Sequence, residues 1–370
     1  MKNKGFYRFM MFVALILTVS VIAACGNGSD EESSEAEATE GESEGMVVEV
    51  VAKGFQHDFW RAVKQGAQEA ADENGVEMKF VGPKDESAIA EQVEMLNNAV
   101  NKNPDAIALA ALDTSALLGP INQAMEKDIP IIGFDSGVPD APEGAIDANA
   151  STDNYAAGEL AAESMYPAIE EQVSGAEGDV RIGVVAQEVN SLSITQRTQG
   201  FIEKMVELSE AELGEGTVAV TGHQKLSNSV SEGDAKLIIE TRVPAQLTDS
   251  AGQTEAQTLL NKEDLIAIYG SNEFAAKAII NADSAISGGR IGPDKVVAVG
   301  FDSGALQLDA IQSEKFYGSV TQDPVSIGYN TVDLAIKATR GEEVSDVDTG
   351  AKWYNSENIE SDEIQALVYE

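Results

Sequence analysis

From Met46 onward, short apolar runs alternate with longer amphipathic stretches. MVVEVVA (46–52) is continuous and β-branched, the pattern of a buried strand. Phe59 to Asn74 reads as a helix, with Trp60, Val63, Ala67 and Ala70–Ala71 on one face and Gly75 just past its end. The alternation continues with strand EMKFVG (77–82), helix Ser87 to Lys102, strand DAIALAAL (105–112) and helix Thr114 to Lys127. Strand IPIIGFD (129–135) follows, then the loop PDAPEG (139–144) and AIDANA (145–150). Repeated β-α units imply a parallel sheet with helices on both faces and right-handed crossovers.

Around Ser151–Asn154 the pattern restarts. Helices are predicted over Tyr155 to Glu171, Ser193 to Leu208, Gln253 to Asn261, Asn272 to Ser284, Ala305 to Ser313 and Pro324 to Arg340. Between them stand the strands DVRIGVVA (179–186), TVAVTG (217–222), LIIETRV (237–243), LIAIYG (265–270), KVVAVGFD (295–302) and YGSVTQD (317–323). A polar stretch, 223–236, interrupts this second half like an insertion. The fold class is therefore α/β, with two doubly wound parallel-sheet units in tandem.

The first 45 residues follow another pattern. Lys2, Lys4 and Arg8 precede an apolar run of 14 residues, Phe9 to Ile22, too short for a stable membrane span. The run ends in Ile22-Ala23-Ala24-Cys25, which resembles a lipobox; Cys25 is the one cysteine of the chain. Residues 1–24 are thus expected to be a lipoprotein signal peptide and Cys25 the lipidated residue. That places the protein outside a bacterial membrane, held to its outer face by acyl chains. Residues 25–45 carry eight acidic and no basic residues and read as a solvated tether.

The formal charge is −39, and residues 46–370 hold 55 acidic against 21 basic residues. Such a surface lacks the basic footprint that nucleic acid requires and repels polyanionic ligands. With two histidines, His57 and His223, a His-rich metal site is excluded, and no metal or cofactor is expected. The chain has no H-E-x-x-H or Walker loop, so an enzyme is not expected.

In open α/β sheets, ligands bind outside the carboxyl ends of the strands. After the first strand come Lys53, Gln56, His57, Asp58, Phe59 and Trp60; after the fourth come Asp135 and Ser136. In the second half, Arg197 opens a helix, and Asn272, Asp302 and Gln322 each follow a strand. Carboxylates, amides and a guanidinium suit vicinal hydroxyls, and aromatic faces suit the C–H face of a sugar ring. No nucleophile–base pair stands among them. Singly, Asp135 and Asp302 read equally well as helix caps, and Phe59 and Trp60 as core.

Together these stretches resemble the periplasmic-binding-protein superfamily, the ribose/galactose-type solute receptors of ABC sugar importers. GFQHDFWRAVKQGAQEAA (54–71) is similar to that family's first loop and helix, with Phe59 and Trp60 at its sugar-sandwiching aromatics. PIIGFDSGV (130–138) with STDNYAAGELAA (151–162) is similar to its aspartate loop and first crossover. VVAVGFDSGALQLDAIQ (296–312) and the stretch 317–342 put Asp302 and Gln322 where the family binds hydroxyls. YGSNEFAAKAI (269–279) puts Asn272 at its amide position, SITQRTQGF (193–201) puts Arg197 at its guanidinium position, and KWYNSENI (352–359) is similar to its tail.

The resemblance implies a type I periplasmic-binding-protein fold: an N-terminal lobe of 46–150 plus 323–349 and a C-terminal lobe of 151–322 plus 350–370. Three hinge segments, near Asn149–Asp153, Gln322–Pro324 and Thr349–Lys352, would join them. It implies a monomeric, extracytoplasmic receptor that delivers a ribose-like pentose or a hexose to a membrane permease. Expected ligand contacts are Phe59, Trp60, Lys53, Asp135, Ser136, Arg197, Asn272, Asp302 and Gln322. The chain also departs from the family. Ser136 replaces an arginine, and Leu247, Thr248 or Asp249 replaces an aromatic expected on one pocket wall. Lys53 with Asp135-Ser136 also resembles autoinducer-2 receptors, although Thr195 stands where those supply an aspartate. An inositol receptor and a sensory protein serving a membrane kinase or chemoreceptor remain alternatives.

Overall fold

A computed structural model describes residues 45–176 and 178–369. The signal segment, Cys25 and the acidic tether lie outside the described residues. The strands are β1 (Val47–Val51), β2 (Glu77–Val81), β3 (Ala106–Leu109), β4 (Ile131–Phe134), β5 (Ala148–Ser151), β6 (Val180–Val185) and β7 (Val218–Thr221). They continue with β8 (Leu237–Arg242), β9 (Leu265–Gly270), β10 (Val297–Phe301), β11 (Gly318–Gln322), β12 (Val347–Asp348) and β13 (Ala351–Tyr354). The helices are α1 (Asp58–Asn74), α2 (Ile89–Lys102), α3 (Leu118–Met125), α4 (Asn154–Met165), α5 (Glu170–Ser174) and α6 (Leu192–Leu213). After these come α7 (Asp249–Leu260), α8 (Glu273–Ser284), α9 (Ala305–Gln312), α10 (Pro324–Thr339) and α11 (Asp362–Gln365).

Two sheets result. One runs β12-β5-β4-β3-β1-β2 and is parallel throughout; the other runs β13-β11-β10-β9-β6-β8-β7 and is parallel except for β13. The chain leaves the first sheet after β5 and returns after β11 with α10 and β12. It crosses again to β13. Apolar strands explain the burial: Val48, Val50, Ala106 and Ala108 pack under α1 and α10 in the first lobe. Ile182, Val184, Ala267, Val299 and Phe301 do the same under α4 and α6 in the second.

Local chemistry moves several boundaries away from the sequence expectation. The helix expected from Thr114 starts at Leu118, because the Asp113 carboxylate accepts from the N–H groups of Ser115 (2.9 Å) and Ala116 (2.8 Å) in a turn. The helix expected over Tyr155 to Glu171 breaks at a 3₁₀ turn, Tyr166–Ala168, where Pro167 has no N–H to continue it. α7 starts four residues before Gln253, since Thr248 Oγ1 caps it by accepting from Ala251 N at 3.2 Å. The polar segment 223–236 covers the edge strand β7: the Asn228 side chain accepts from Val220 N (3.0 Å) and donates to Val218 O (2.8 Å). KWYN (352–355), read as a tail, largely forms β13, antiparallel to β11 with Ser319 opposite Tyr354.

Each lobe also contains a helix pair in backbone contact. A Cβ added at Gly66 of α1 would lie 1.9 Å from Val325 O of α10, and one at Gly328 would lie 1.9 Å from Val63 O. α4 and α6 repeat this device, with Gly158 against Arg197 O (2.2 Å) and Gly200 against Tyr155 O (2.1 Å). Gly328→Ala and Gly158→Ala are each expected to lower stability by about 1–3 kcal/mol, the usual cost of overpacking. Urea unfolding measures this, and an unchanged midpoint in either variant contradicts the close-contact reading.

Candidate ligand-binding site

The carboxyl ends of both sheets face one cleft, and the helix pairs in contact through glycine deliver their N-termini to it. The cavity there measures about 30 Å³ as the lobes stand and is lined from both of them. That is room for water but not for a sugar ring.

The first lobe contributes Lys53, His57, Phe59, Trp60, Glu86 and Asp135. Trp60 is 1 % exposed, and its indole N–H donates to Glu86 Oε1 at 2.7 Å. Phe59 meets Trp60 edge-to-face at 5.0 Å. Lys53 Nζ, also buried, is 3.0 Å from Asp135 Oδ2 and donates to Ser193 Oγ of the other lobe at 3.1 Å. Burial works to lower the Lys53 pKa, but the Asp135 and Glu86 carboxylates outweigh it and raise the pKa above 10.5. Burial likewise works against ionised Glu86. Lys53, His57 and the two hydrogen bonds from Trp60 and Gln187 prevail and hold its carboxyl below 4.5.

The second lobe supplies Ser193, Arg197, Asn272, Glu273, Asp302 and Gln322. Arg197 donates from Nη2 to Asn154 Oδ1 (2.7 Å) and from Nη1 to Ser271 O (3.1 Å). Its Nη1 lies 3.6 Å from Asp302 Oδ2, and its guanidinium rests over the Phe301 ring at 3.6 Å. Asp302 accepts from Gln322 Nε2 (2.6 Å) and from the N–H of Glu273 (3.1 Å). Asn272 caps α8 by accepting from Ala275 N at 3.1 Å.

Asp135 and Asp302 share a backbone feature. Both sit in the left-handed region, with φ of 54° and 70°, immediately past β4 and β10. Such a conformation is uncommon outside glycine, costs about 1–3 kcal/mol, and concentrates at functional sites.

His57 bridges the lobes. Its Nδ1 is 3.8 Å from Glu273 Oε1 and its Nε2 is 4.0 Å from Glu86 Oε1. Burial lowers its pKa, but the Glu273, Glu86 and Asp302 carboxylates outweigh that and raise it above 6.5. His57 Nε2, Glu273 Oε2 and Gln322 Oε1 are buried without a hydrogen-bond partner among the described residues.

Eight of the nine ligand contacts expected from sequence line this cavity. Ser136 does not: it lies behind the wall, and its Oγ accepts from Ser193 N at 3.4 Å. Leu247 faces a neighbouring groove at the cleft mouth, and Asp249 pairs on the surface with Lys277 at 3.0 Å. Glu86, Ser193 and Glu273 were not singled out from sequence, and His57 was named at a strand end without a role. Glu86 follows a strand end like the other site residues, which was the available signal. Among the described residues, no group of three or more His, Cys, Asp or Glu is placed to hold a metal ion.

The chain belongs to the periplasmic binding protein domain family, whose model matches residues 48–343. It is 23 % identical to the D-allose-binding periplasmic protein of Escherichia coli K12, over 81 % of this chain and 86 % of that one. A solved structure from Brachyspira murdochii, titled an ABC transporter, LacI family transcriptional regulator, is 38 % identical with a TM-score of 0.74. The match covers 88 % of this chain and 99 % of that one. An Agrobacterium vitis ABC transporter solute-binding protein with bound D-fucose is 28 % identical, with a TM-score of 0.73 over 87 % and 100 % of the two chains. The fold is thus the two-sheet α/β architecture of these binding proteins.

Lys53→Met leaves Asp135 buried without its cation and is expected to cost about 3–5 kcal/mol of stability. Adding Asp135→Asn should recover most of that loss in a urea-melt comparison. A double variant no more stable than the single one refutes the pairing.

Proposed function

We propose that the protein is an extracytoplasmic receptor that binds one monosaccharide, a pentose or hexose, between its lobes and hands it to the membrane permease of an ABC importer. One observation carries the reading. Two buried aspartates, Asp135 and Asp302, come from opposite lobes with the same strained backbone and face one cavity between them. Phe59 and Trp60 stack on the ring. Lys53, Asp135, Arg197, Asn272, Asp302 and Gln322 hold its hydroxyls. A hydroxyl both donates and accepts, so a sugar can satisfy the unpartnered Glu273 Oε2, Gln322 Oε1 and His57 Nε2 alike. The bound D-fucose and D-arabinose named for two related solute-binding structures support this substrate class.

In this proposal, 46–150 plus 323–349 and 151–322 plus 350–370 move as two bodies about three chain crossings. The protein acts as a monomer. Cys25 carries the lipid anchor, which the sequence of residues 1–25 supports. Among the described residues, no helix is long and apolar enough to cross a membrane.

A thermal-shift screen against monosaccharides and polyols tests the substrate. A ligand at 100 times its Kd stabilises by about 2.7 kcal/mol. One sugar is expected to give that shift and Asp302→Ala to abolish it; no shift with any sugar rejects the reading. For the anchor, Cys25→Ser protein is expected to leave the membrane fraction of the producing bacterium. A variant that stays membrane-bound removes lipidation from the proposal.

A further inference from the structure

Behind the cavity wall, a row of hydrogen bonds runs from one lobe to the other. Trp60 Nε1 donates to Glu86 Oε1 at 2.7 Å. Gln187 Nε2 donates to Glu86 Oε2 at 2.5 Å, and Asn272 Nδ2 donates to Gln187 Oε1, also at 2.5 Å. Trp60 and Glu86 belong to the first lobe; Gln187, two residues past β6, and Asn272 belong to the second. All four are buried. Gln187 does not line the cavity, yet it joins a wall residue of one lobe to a wall residue of the other.

We propose that Gln187 is a positioning residue of the binding site, whose amide fastens Glu86 to Asn272 and so sets how tightly the cleft closes. This rests on reading the cavity as a ligand site and adds a residue that does not touch the ligand.

The chemistry of the place selects this side chain. It must donate toward a carboxylate and accept from an amide, which a primary amide does and an aliphatic side chain does not. Glu86 stays ionised beside Lys53 and His57, so the bond from Gln187 is charge-assisted. Without Gln187, Glu86 keeps its bond from Trp60 and Asn272 keeps its cap on Ala275 N. The loss therefore falls on the relation between the lobes and not on the fold of either. Every partner in the row is a protein group, so the contact itself needs no sugar.

The test compares wild type with Gln187→Met, a variant of similar length without the amide. Small-angle scattering without added sugar is expected to show a larger radius of gyration for the variant. Stopped-flow binding of the monosaccharide that stabilises the wild type is expected to show about tenfold weaker affinity, equivalent to about 1.4 kcal/mol. The loss should come from faster dissociation, with association unchanged. Equal radii, or a weakening carried by association, overturn the proposal. If the Met variant does not fold, Gln187→Glu decides the matter. It keeps the acceptor for Asn272 but sets a second carboxylate against Glu86, and a Glu variant as compact as wild type is equally contrary. A wild type that no monosaccharide stabilises fails the reading of the site, and the scattering comparison still decides the role of Gln187.

Discussion

In each lobe, two helices touch backbone to backbone through a reciprocal pair of glycines, and the site depends on that contact. Gly66 and Gly328 let α1 meet α10; Gly158 and Gly200 let α4 meet α6. The consequence lies at the helix ends. α1 begins at Asp58, next to Phe59 and Trp60, and α10 begins two residues after Gln322. α4 begins at Asn154, the partner of Arg197 in the first turns of α6. Spacing these pairs with ordinary side chains would separate groups that converge on one cleft. Packed cores do not absorb such shifts gradually, because interiors lack spare volume.

Much of the fold was legible in the hydrophobic pattern. All ten strands read from it are present, because strands buried on both faces write themselves as continuous apolar runs. β5, β12 and β13 escaped that reading. β12 has two residues, and AKWY carries Lys352 on an exposed edge. Helix boundaries moved wherever a side chain competed with the backbone, as at Asp113 and Thr248, or where Pro167 interrupted it. The strand-end rule located Asp135, Asn272, Asp302 and Gln322. It gave no prominence to Glu86, which falls between strand 77–82 and the helix expected from Ser87. Glu273 was concealed differently: an acidic residue in a first helical turn reads as a partner of the helix dipole. Gln187 also stands at a strand end, but its role depends on a residue of the other lobe 101 positions away, which no local pattern shows. Ser136 failed in the opposite sense, because adjacency to Asp135 in sequence does not carry it onto the same wall.

The placement of charge fits a cleft that must open. Lys53 pairs with Asp135 inside the first lobe, and Arg197 pairs with Asp302 inside the second. A buried ion deprived of its partner costs several kcal/mol, so pairing the strongest charges across the cleft would expose that cost at each opening. Across the cleft the structure instead uses hydrogen bonds, such as Lys53 to Ser193 and Gln187 to Glu86, and the looser approach of His57 to Glu273. In each of these the groups left behind keep other partners or can be rehydrated, so the net stabilisation per bond is about 0.5–1.5 kcal/mol. A few such bonds bring closure within reach of the binding free energy of one small molecule, while each lobe keeps its own charges neutralised in either position.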